Sequence, residues 1–597
     1  MRRHHKLPFG AEPAADGVRF RLWAPRAHKV ELLLEAPQHP ALPMVAEPEG
    51  WFSLSTEKAG VGSRYRYSVD GAPYPDPASR YQPDSVHRAS EVVDPAAYEW
   101  RDAGWQGRPW RELVIYELHL GAFSERGDFT GAIAHLDHLV ELGVTAIELM
   151  PIAECPGHRN WGYDGVQWFA PSARYGRPEE LKALVDECHA RGIAVLLDVV
   201  YNHFGPEGNY LHAIVPDFFT ERHHTPWGAA INYDGPRSRP VRDFVIHNAL
   251  YWLEEFHLDG LRLDAVHAIL DESAPDILTE VAEMVRRHIT DRPVHLVLEN
   301  DRNEARRLAR DYAAQWNDDM HHALHVLLTG ETRGYYGDYA EHAIEHLGRA
   351  LATGFAYQGE PSEHRHGHPR GEPSAHLPAT AFVSFLQNHD QIGNTPFGTR
   401  IGANAPEPLV HAAVAIVLLS PEIPLLFMGE EWASRRPFPF FCDFGPPLDE
   451  AVREGRRREF AHYPEFADPE AQGHIPDPNA EATFAAARLD WSEPREPEHA
   501  SWLERYRKLL TIRHREIVQR LDGITPSGEY ELLGPAALRV TWRLGDGTRL
   551  LLLANFADAP LTMPESVSEG RLLYSSSEPL GDAISPQCAA FYLLSPQ

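Results

Sequence analysis

The chain is expected to be an α/β protein, a (β/α)₈ barrel preceded by a β-sandwich and followed by an antiparallel β-domain. Three observations predict this. Apolar residues alternate strictly near both ends; short apolar strands alternate with amphipathic helices between them; and neither GxGxxG nor GxxxxGK[ST] occurs, which disfavours a nucleotide-binding doubly wound sheet. At 597 residues the chain exceeds one ordinary domain. The expected division is 1–95 for the sandwich, 96–521 for the barrel with insertions, and 522–597 for the last domain.

In the first section Val18, Phe20 and Leu22 alternate with arginines, and Val30, Leu32 and Leu34 repeat the period of two. Tyr65, Tyr67 and Val69 do so again before a turn at Asp70-Gly71. A Pro-rich stretch, 73–112, closes this section. Residues 113–123 then read as a compact apolar strand, followed by a helix with Ile133, Leu136 and Val140 on one face. Residues 144–152 form the next strand. Pro178 opens a helix lined by Leu181, Leu184, Val185 and Cys188, and Gly192 ends it before the strand 193–200. Further strands are read at 260–264, 294–299, 381–387 and 423–428. Such alternation builds a parallel sheet with helices outside. Near the C-terminus Leu538, Val540, Trp542 and Leu544 alternate, Gly545-Asp546-Gly547 turns the chain, and Leu550–Leu553 returns.

The composition, 43% hydrophobic and 24% charged, is that of a globular protein. A net charge of −30 repels phosphate backbones, so nucleic acid is excluded as a partner, whereas a neutral polyhydroxyl substrate meets no such barrier. No stretch of 18 apolar residues suggests a membrane span. The start, MRRHHKLPFGAEP, lacks the apolar core of a secretory signal. The four cysteines show no CxxC spacing and read as thiols in a reducing compartment, so a cytoplasmic location is expected.

The chemistry lies in where acids fall. Asp198, Asp264, Glu299 and Asp390 each close an apolar strand. A single Asp there usually caps a turn. Four in succession, in a barrel whose C-terminal strand ends converge on one face, indicate a shared pocket. Arg262 lies two residues before Asp264, on the same side of the strand, and favours an ionised nucleophile. Leu296, Val297 and Leu298 give Glu299 an apolar collar that favours a protonated general acid. His203 and His389 read as neutral donors for sugar hydroxyls, and Tyr163 as a ring on which a pyranose stacks. The chemistry requires no metal and no cofactor. HAIEH (342–346) matches a zinc-protease pattern but lacks an evident third ligand. His364, His366 and His368, among Pro and Gly, read as a solvated loop.

DVVYNH (198–203), DGLRLDAVH (259–267), VLEN (297–300) and FLQNHD (385–390) resemble, in order and spacing, the four motif regions of the α-amylase superfamily of glycoside hydrolases. The resemblance covers essentially the whole chain and makes the first section similar to a glycogen-binding or isoamylase N-domain. It implies Asp264 as nucleophile, Glu299 as acid/base and Asp390 as a third carboxylate that binds sugar hydroxyls. It also implies that Arg262, His203, His389 and Tyr163 hold the sugar before the cleaved bond, while Asp198 orders the pocket floor. Segments such as PDPASRYQPDSVH (75–87), LENDRN (298–303) and QNHDQIGN (387–394) resemble a trehalose-releasing branch of the superfamily. This implies cleavage of the α-1,4 bond beside the terminal trehalose of a maltooligosyl trehalose. The alternatives are a glucan branching or debranching enzyme and a non-catalytic glucan-binding protein. Whether the N-terminal sandwich binds glucan, and whether Phe438, Phe440 and Phe441 stack sugars or fill core, stay open here.

Overall fold

The computed structural model describes residues 1–596 apart from 36–38, 309, 462, 564–569 and 579–582. The N-terminal section forms two antiparallel sheets. One orders the strands 10–14, 17–23, 51–56 and 45–47; the other orders 42–43, 30–34, 64–69 and 72–74, with 90–91 added on 64–69. The alternation seen in the sequence becomes the inner faces, where Phe20 meets Tyr65 edge-on at 4.8 Å. Asp70 and Gly71 make the turn with φ of 49° and 93°. The section is locked to the barrel by buried charges. Arg80 bonds Glu12 at 2.8 Å and lies 3.5 Å from Glu255, and His5 pairs with Glu254 at 2.7 Å. Both glutamates end the helix Ser238–Glu255, which leads into the fourth barrel strand.

The barrel strands are β1 Ile115–Leu118, β2 Ala146–Leu149, β3 Ala194–Val199, β4 Gly260–Leu263, β5 His295–Leu298, β6 Ala314–Trp316, β7 Phe382–Phe385 and β8 Ile423–Phe427. All pair in parallel, and β1 pairs with β8 to close the ring. Ile115, Leu196, Val297, Trp316, Phe385 and Leu425 belong to one apolar cluster formed mainly by strand residues, as expected of a filled barrel interior. The helix Pro178–Ala190 starts on its proline and buries Leu181, Leu184, Val185 and Cys188, as read from the sequence.

Three expectations need correction. The strand read over 113–123 ends at Leu118, in register with Leu149 at the end of β2, and 120–123 turn into a short helix. The face of Ile133, Leu136 and Val140 holds only at Leu136: the helix breaks between Phe129–Ile133 and Leu136–Leu142, Ile133 is half-buried, Val140 is exposed, and Leu139 and Leu142 join Leu136 in the core. Strand β6 was missed altogether.

The C-terminal domain is a five-stranded antiparallel sheet ordered 529–534, 537–543, 549–555, 588–594 and 571–575. Leu538, Val540 and Trp542 are buried, and the Trp542 indole donates to the Leu351 carbonyl at 2.9 Å, joining the sheet to the barrel helix Ala343–Thr353. Among the described residues no helix is long and apolar enough to cross a membrane.

Candidate active site

The C-terminal ends of the strands bring the sequence-selected residues together. Arg262, fully buried on β4, donates through Nη1 to Asp198 Oδ2 on β3 at 2.8 Å and to Asp264 Oδ1 at 2.6 Å. Its Nη2 lies 4.0 Å from Glu299 Oε2, just past β5. The guanidinium is flanked by the Trp316 ring of β6, 4.2 Å from the ring centre. One cation therefore reaches three of the four acids, which 101 positions of sequence separate. Glu299 is further fixed by the Ala265 backbone N–H, 2.5 Å from Oε2. Ala265 adopts φ of 40°, a left-handed turn directly after Asp264 that aims its N–H at the neighbouring acid.

Tyr163 stands between the strands. Its hydroxyl donates to Asp198 Oδ2 at 2.6 Å and lies 2.8 Å from His389 Nε2, and its ring stacks on His389 at 5.1 Å. Gly162 permits this approach: its φ is 112°, and a Cβ there would collide with the Pro151 carbonyl. Asp390 lies 3.4 Å from the same His389 nitrogen, and its N–H is capped by Asn388 Oδ1 at 2.9 Å. His203 is buried with both ring nitrogens engaged, Nε2 donating to the Tyr163 carbonyl at 3.0 Å and Nδ1 lying 2.6 Å from Asn202 Oδ1. Trp227 covers its face at 4.4 Å.

The electrostatics separate the acids. Burial pushes Glu299 well above the usual carboxylate range, with Arg262 opposing and Asp264 adding to the rise. Burial likewise pushes Asp198 up to about 7 against the pull of Arg262. Burial lowers His203. His389 behaves differently. Burial alone would lower it, yet Asp390 and Glu117 raise it to about 9, so at neutral pH it is a cation. The neutral-donor expectation for His389 is corrected: Asp390 is the next residue, but Glu117, on β1, is 272 positions away and only the fold adds it.

Glu299, Trp316, Asp318, Tyr335, Arg370 and Asp390 line a cavity of about 240 Å³. Tyr335 also borders an open groove of about 840 Å³ rimmed by Phe397. Sequence reasoning missed Glu117, Asp318, Arg365 and Arg370. Arg365 and Arg370 donate to the Asp301 carbonyl at 2.9 and 3.1 Å, which draws the histidine-rich loop against the cavity and places His364 on its wall. An acid inside an otherwise apolar strand, as in VIYEL, was the available signal for Glu117. Phe438 and Phe441 are core, Phe438 stacking on Trp161 at 5.4 Å, while Phe440 is half-buried. In HAIEH, His342 faces solvent and His346 stacks on Tyr357 at 5.3 Å. Among the described residues one trio has metal-ligand spacing, His223, Asp234 and Glu272, but its central oxygen, Asp234 Oδ2, already accepts from His223 at 2.9 Å and from the Glu272 N–H at 3.0 Å.

Comparison with known proteins agrees with this architecture. The family model for the alpha amylase catalytic domain matches residues 98–227, that for carbohydrate-binding module 48 (isoamylase N-terminal domain) matches 8–96, and a domain of unknown function, DUF3459, matches 526–592. The malto-oligosyltrehalose trehalohydrolase of Deinococcus radiodurans is 40% identical over 94% of this chain and 93% of its own length. That of Saccharolobus solfataricus is 42% identical over 81% and 84%. A solved structure from Salmonella typhimurium, described as a candidate alpha amylase, is 44% identical, covers 98% of this chain and 100% of its own, and superposes with a TM-score of 0.93. With relatives of one name spanning almost its full length, and the barrel and its flanking modules in place, the chain belongs to the malto-oligosyltrehalose trehalohydrolase family of α-amylase-type glycosidases.

Proposed function

We propose that the chain is a retaining glycoside hydrolase that cleaves the α-1,4-glucosidic bond next to the terminal trehalose of maltooligosyl trehalose and releases trehalose. The observation that carries this is the single buried guanidinium of Arg262, bonded to Asp264 at 2.6 Å and 4.0 Å from Glu299. It pairs directly with Asp264, whereas burial outweighs its pull on Glu299 and keeps that carboxyl protonated, the division of roles a double displacement needs.

In the proposed reaction Asp264 attacks the anomeric carbon as the bond to the glycosidic oxygen breaks. That oxygen keeps the bonding electrons and takes the proton of Glu299, so trehalose leaves neutral. The glucan remains as a β-glycosyl ester on Asp264. Glu299, now ionised, removes a proton from water, the hydroxide oxygen bonds to the same carbon, and Asp264 departs with net retention. Asp390 and His389 hold hydroxyls of the reacting sugar, and Arg262 balances the charge on Asp264. The groove beside Tyr335 gives room for further sugar units. The four cysteines, buried and unpaired, support a cytoplasmic location.

The test is product analysis on maltooligosyl trehalose beside a plain maltooligosaccharide of equal length. Free trehalose from the first, with slower cleavage of the second, is expected. Altered branching without trehalose would overturn the reading.

A further inference from the structure

Two glutamates lie side by side beneath the site, Glu117 on β1 opposite Glu148 on β2. Each is 1% exposed, yet their surroundings differ. Glu117 grips one residue twice: Oε1 is 2.5 Å from His389 Nδ1, and Oε2 accepts the His389 backbone N–H at 3.1 Å. Glu148 has no hydrogen-bond partner for either oxygen among the described residues. Burial, with the nearby charges of Glu117 and Asp198, pushes its carboxyl far above the usual range, so it is neutral.

From the other side of the His389 ring, Nε2 is 2.8 Å from the Tyr163 hydroxyl and 3.4 Å from Asp390 Oδ1. Tyr163 continues to Asp198 at 2.6 Å, and Asp198 to Arg262 at 2.8 Å. A chain of polar contacts thus runs from Glu117 on the barrel floor through His389, Tyr163, Asp198 and Arg262 to Asp264. Glu117 itself touches neither the cavity nor any of the carboxylates assigned to the chemistry.

We infer that Glu117 is a positioning residue: by clamping both Nδ1–H and the backbone N–H of His389, it holds that ring doubly protonated and aimed at Tyr163 and Asp390. The site then works with a second fixed cation besides Arg262. The inference rests on the hydrolytic reading above and adds a residue to it. Every element around His389 bears on its charge. Asp390 and Glu117 favour the cation, Arg262 opposes it, His119 is lowered to about 4 by burial and is neutral, Asp198 faces it through Tyr163, Glu148 is neutral, and Trp161 and Trp316 present rings at 5.4 and 6.0 Å. Of the two acids that favour it, Asp390 is 42% exposed and screened by water, whereas Glu117 is enclosed at 1%.

The experiment is the pH profile of kcat/KM for trehalose release by the full chain and by Glu117→Gln, which keeps the volume and an acceptor but removes the charge. Losing an enclosed opposite charge should move the alkaline limb down by about one pH unit or more. The variant should stay within about threefold of the parent near pH 5.5 and fall about tenfold or more below it near pH 8. Glu148→Gln, which exchanges one neutral side chain for another, should leave the limb in place. A Glu117→Gln profile parallel to the parent's at every pH, or an equal limb shift in Glu148→Gln, overturns the inference. If Glu117→Gln does not fold, ¹⁵N-histidine spectra of the parent, with His389 identified through His389→Gln, decide it. Both ring nitrogens protonated at about pH 7.5 support the clamp, and titration near the ordinary value of about 6.5 overturns it. A parent that releases no trehalose would sink the hydrolase reading, and the spectra would still test the clamp.

Discussion

The two ends of the barrel both bury carboxylates among histidines, and they treat them in opposite ways. At the N-terminal end, Asp102 bonds His189 at 3.0 Å and His257 at 2.7 Å. Asp259 takes the other nitrogen of His189 at 2.9 Å, the Trp105 indole at 2.7 Å and the Val195 N–H at 2.9 Å. Burial alone would raise both acids, but these donors more than offset it and hold them below the usual range. At the C-terminal end burial wins. Glu299 is pushed far up, and Asp198 and Asp318 reach about 7. Asp198 Oδ1 and both Glu148 oxygens lack partners among the described residues. A buried acid whose lone pairs are all met is a brace; one left under-bonded has reactivity to give.

This contrast can be broken by substitutions at either end. The largest effect is expected from Asp264→Asn and Glu299→Gln, a loss on the order of 10⁴-fold in kcat with the thermal midpoint nearly unchanged, measured by trehalose release and calorimetry. Near-parental turnover in either would place the chemistry elsewhere. Asp102→Asn should do the reverse, lowering stability by about 3–5 kcal/mol in denaturant titration while kcat stays within about twofold. Because Asp102 and Asp259 titrate lower when folded, their stabilisation is present above the unfolded value of about 3.9 and is lost as the pH falls below it. Acid unfolding that starts near neutrality would contradict that sign.

Tyr163→Phe removes a hydroxyl between a carboxylate and a cation, and kcat/KM should fall about ten- to a hundredfold with the fold intact. The smallest effect is a gain. Asp318 titrates higher when folded, at about 7, so its ionised form opposes folding increasingly as pH rises from about 4 through 7. Asp318→Asn should raise the thermal midpoint by about 1–3 °C near pH 8 and leave it unchanged near pH 4. An equal gain at both pH values would mean that relief of charge is not the cause.

Much of this was legible in the sequence, for reasons that can be named. Strands such as Ala194–Val199 announce themselves by an unbroken apolar run, and the acids by ending such runs. Strand β6 escaped because it is three residues long with a glutamine in the middle, although its Trp316 supplies the ring beside Arg262. The charge of His389 escaped because the adjacent Asp390 is joined by Glu117, supplied by the first strand of the ring to a residue beyond the seventh. The walls built by Arg365 and Arg370 escaped likewise: ion pairing across more than sixty positions leaves no periodic trace.

The fastening of the N-terminal module limits how it can be studied. Arg80 is the counter-ion of Glu255 and His5 hydrogen-bonds Glu254, and both of these glutamates sit at the foot of the helix feeding the strand that leads to Asp264. Cutting the chain before residue 97 would strand those two acids, with His288 3.7 Å from Glu254 and Lys182 3.8 Å from Glu255 as the side chains left to answer them. A truncated protein that lost activity would therefore report a collapsed foundation rather than a missing sugar grip. Glucan capture by the module has to be probed with surface substitutions in the intact molecule.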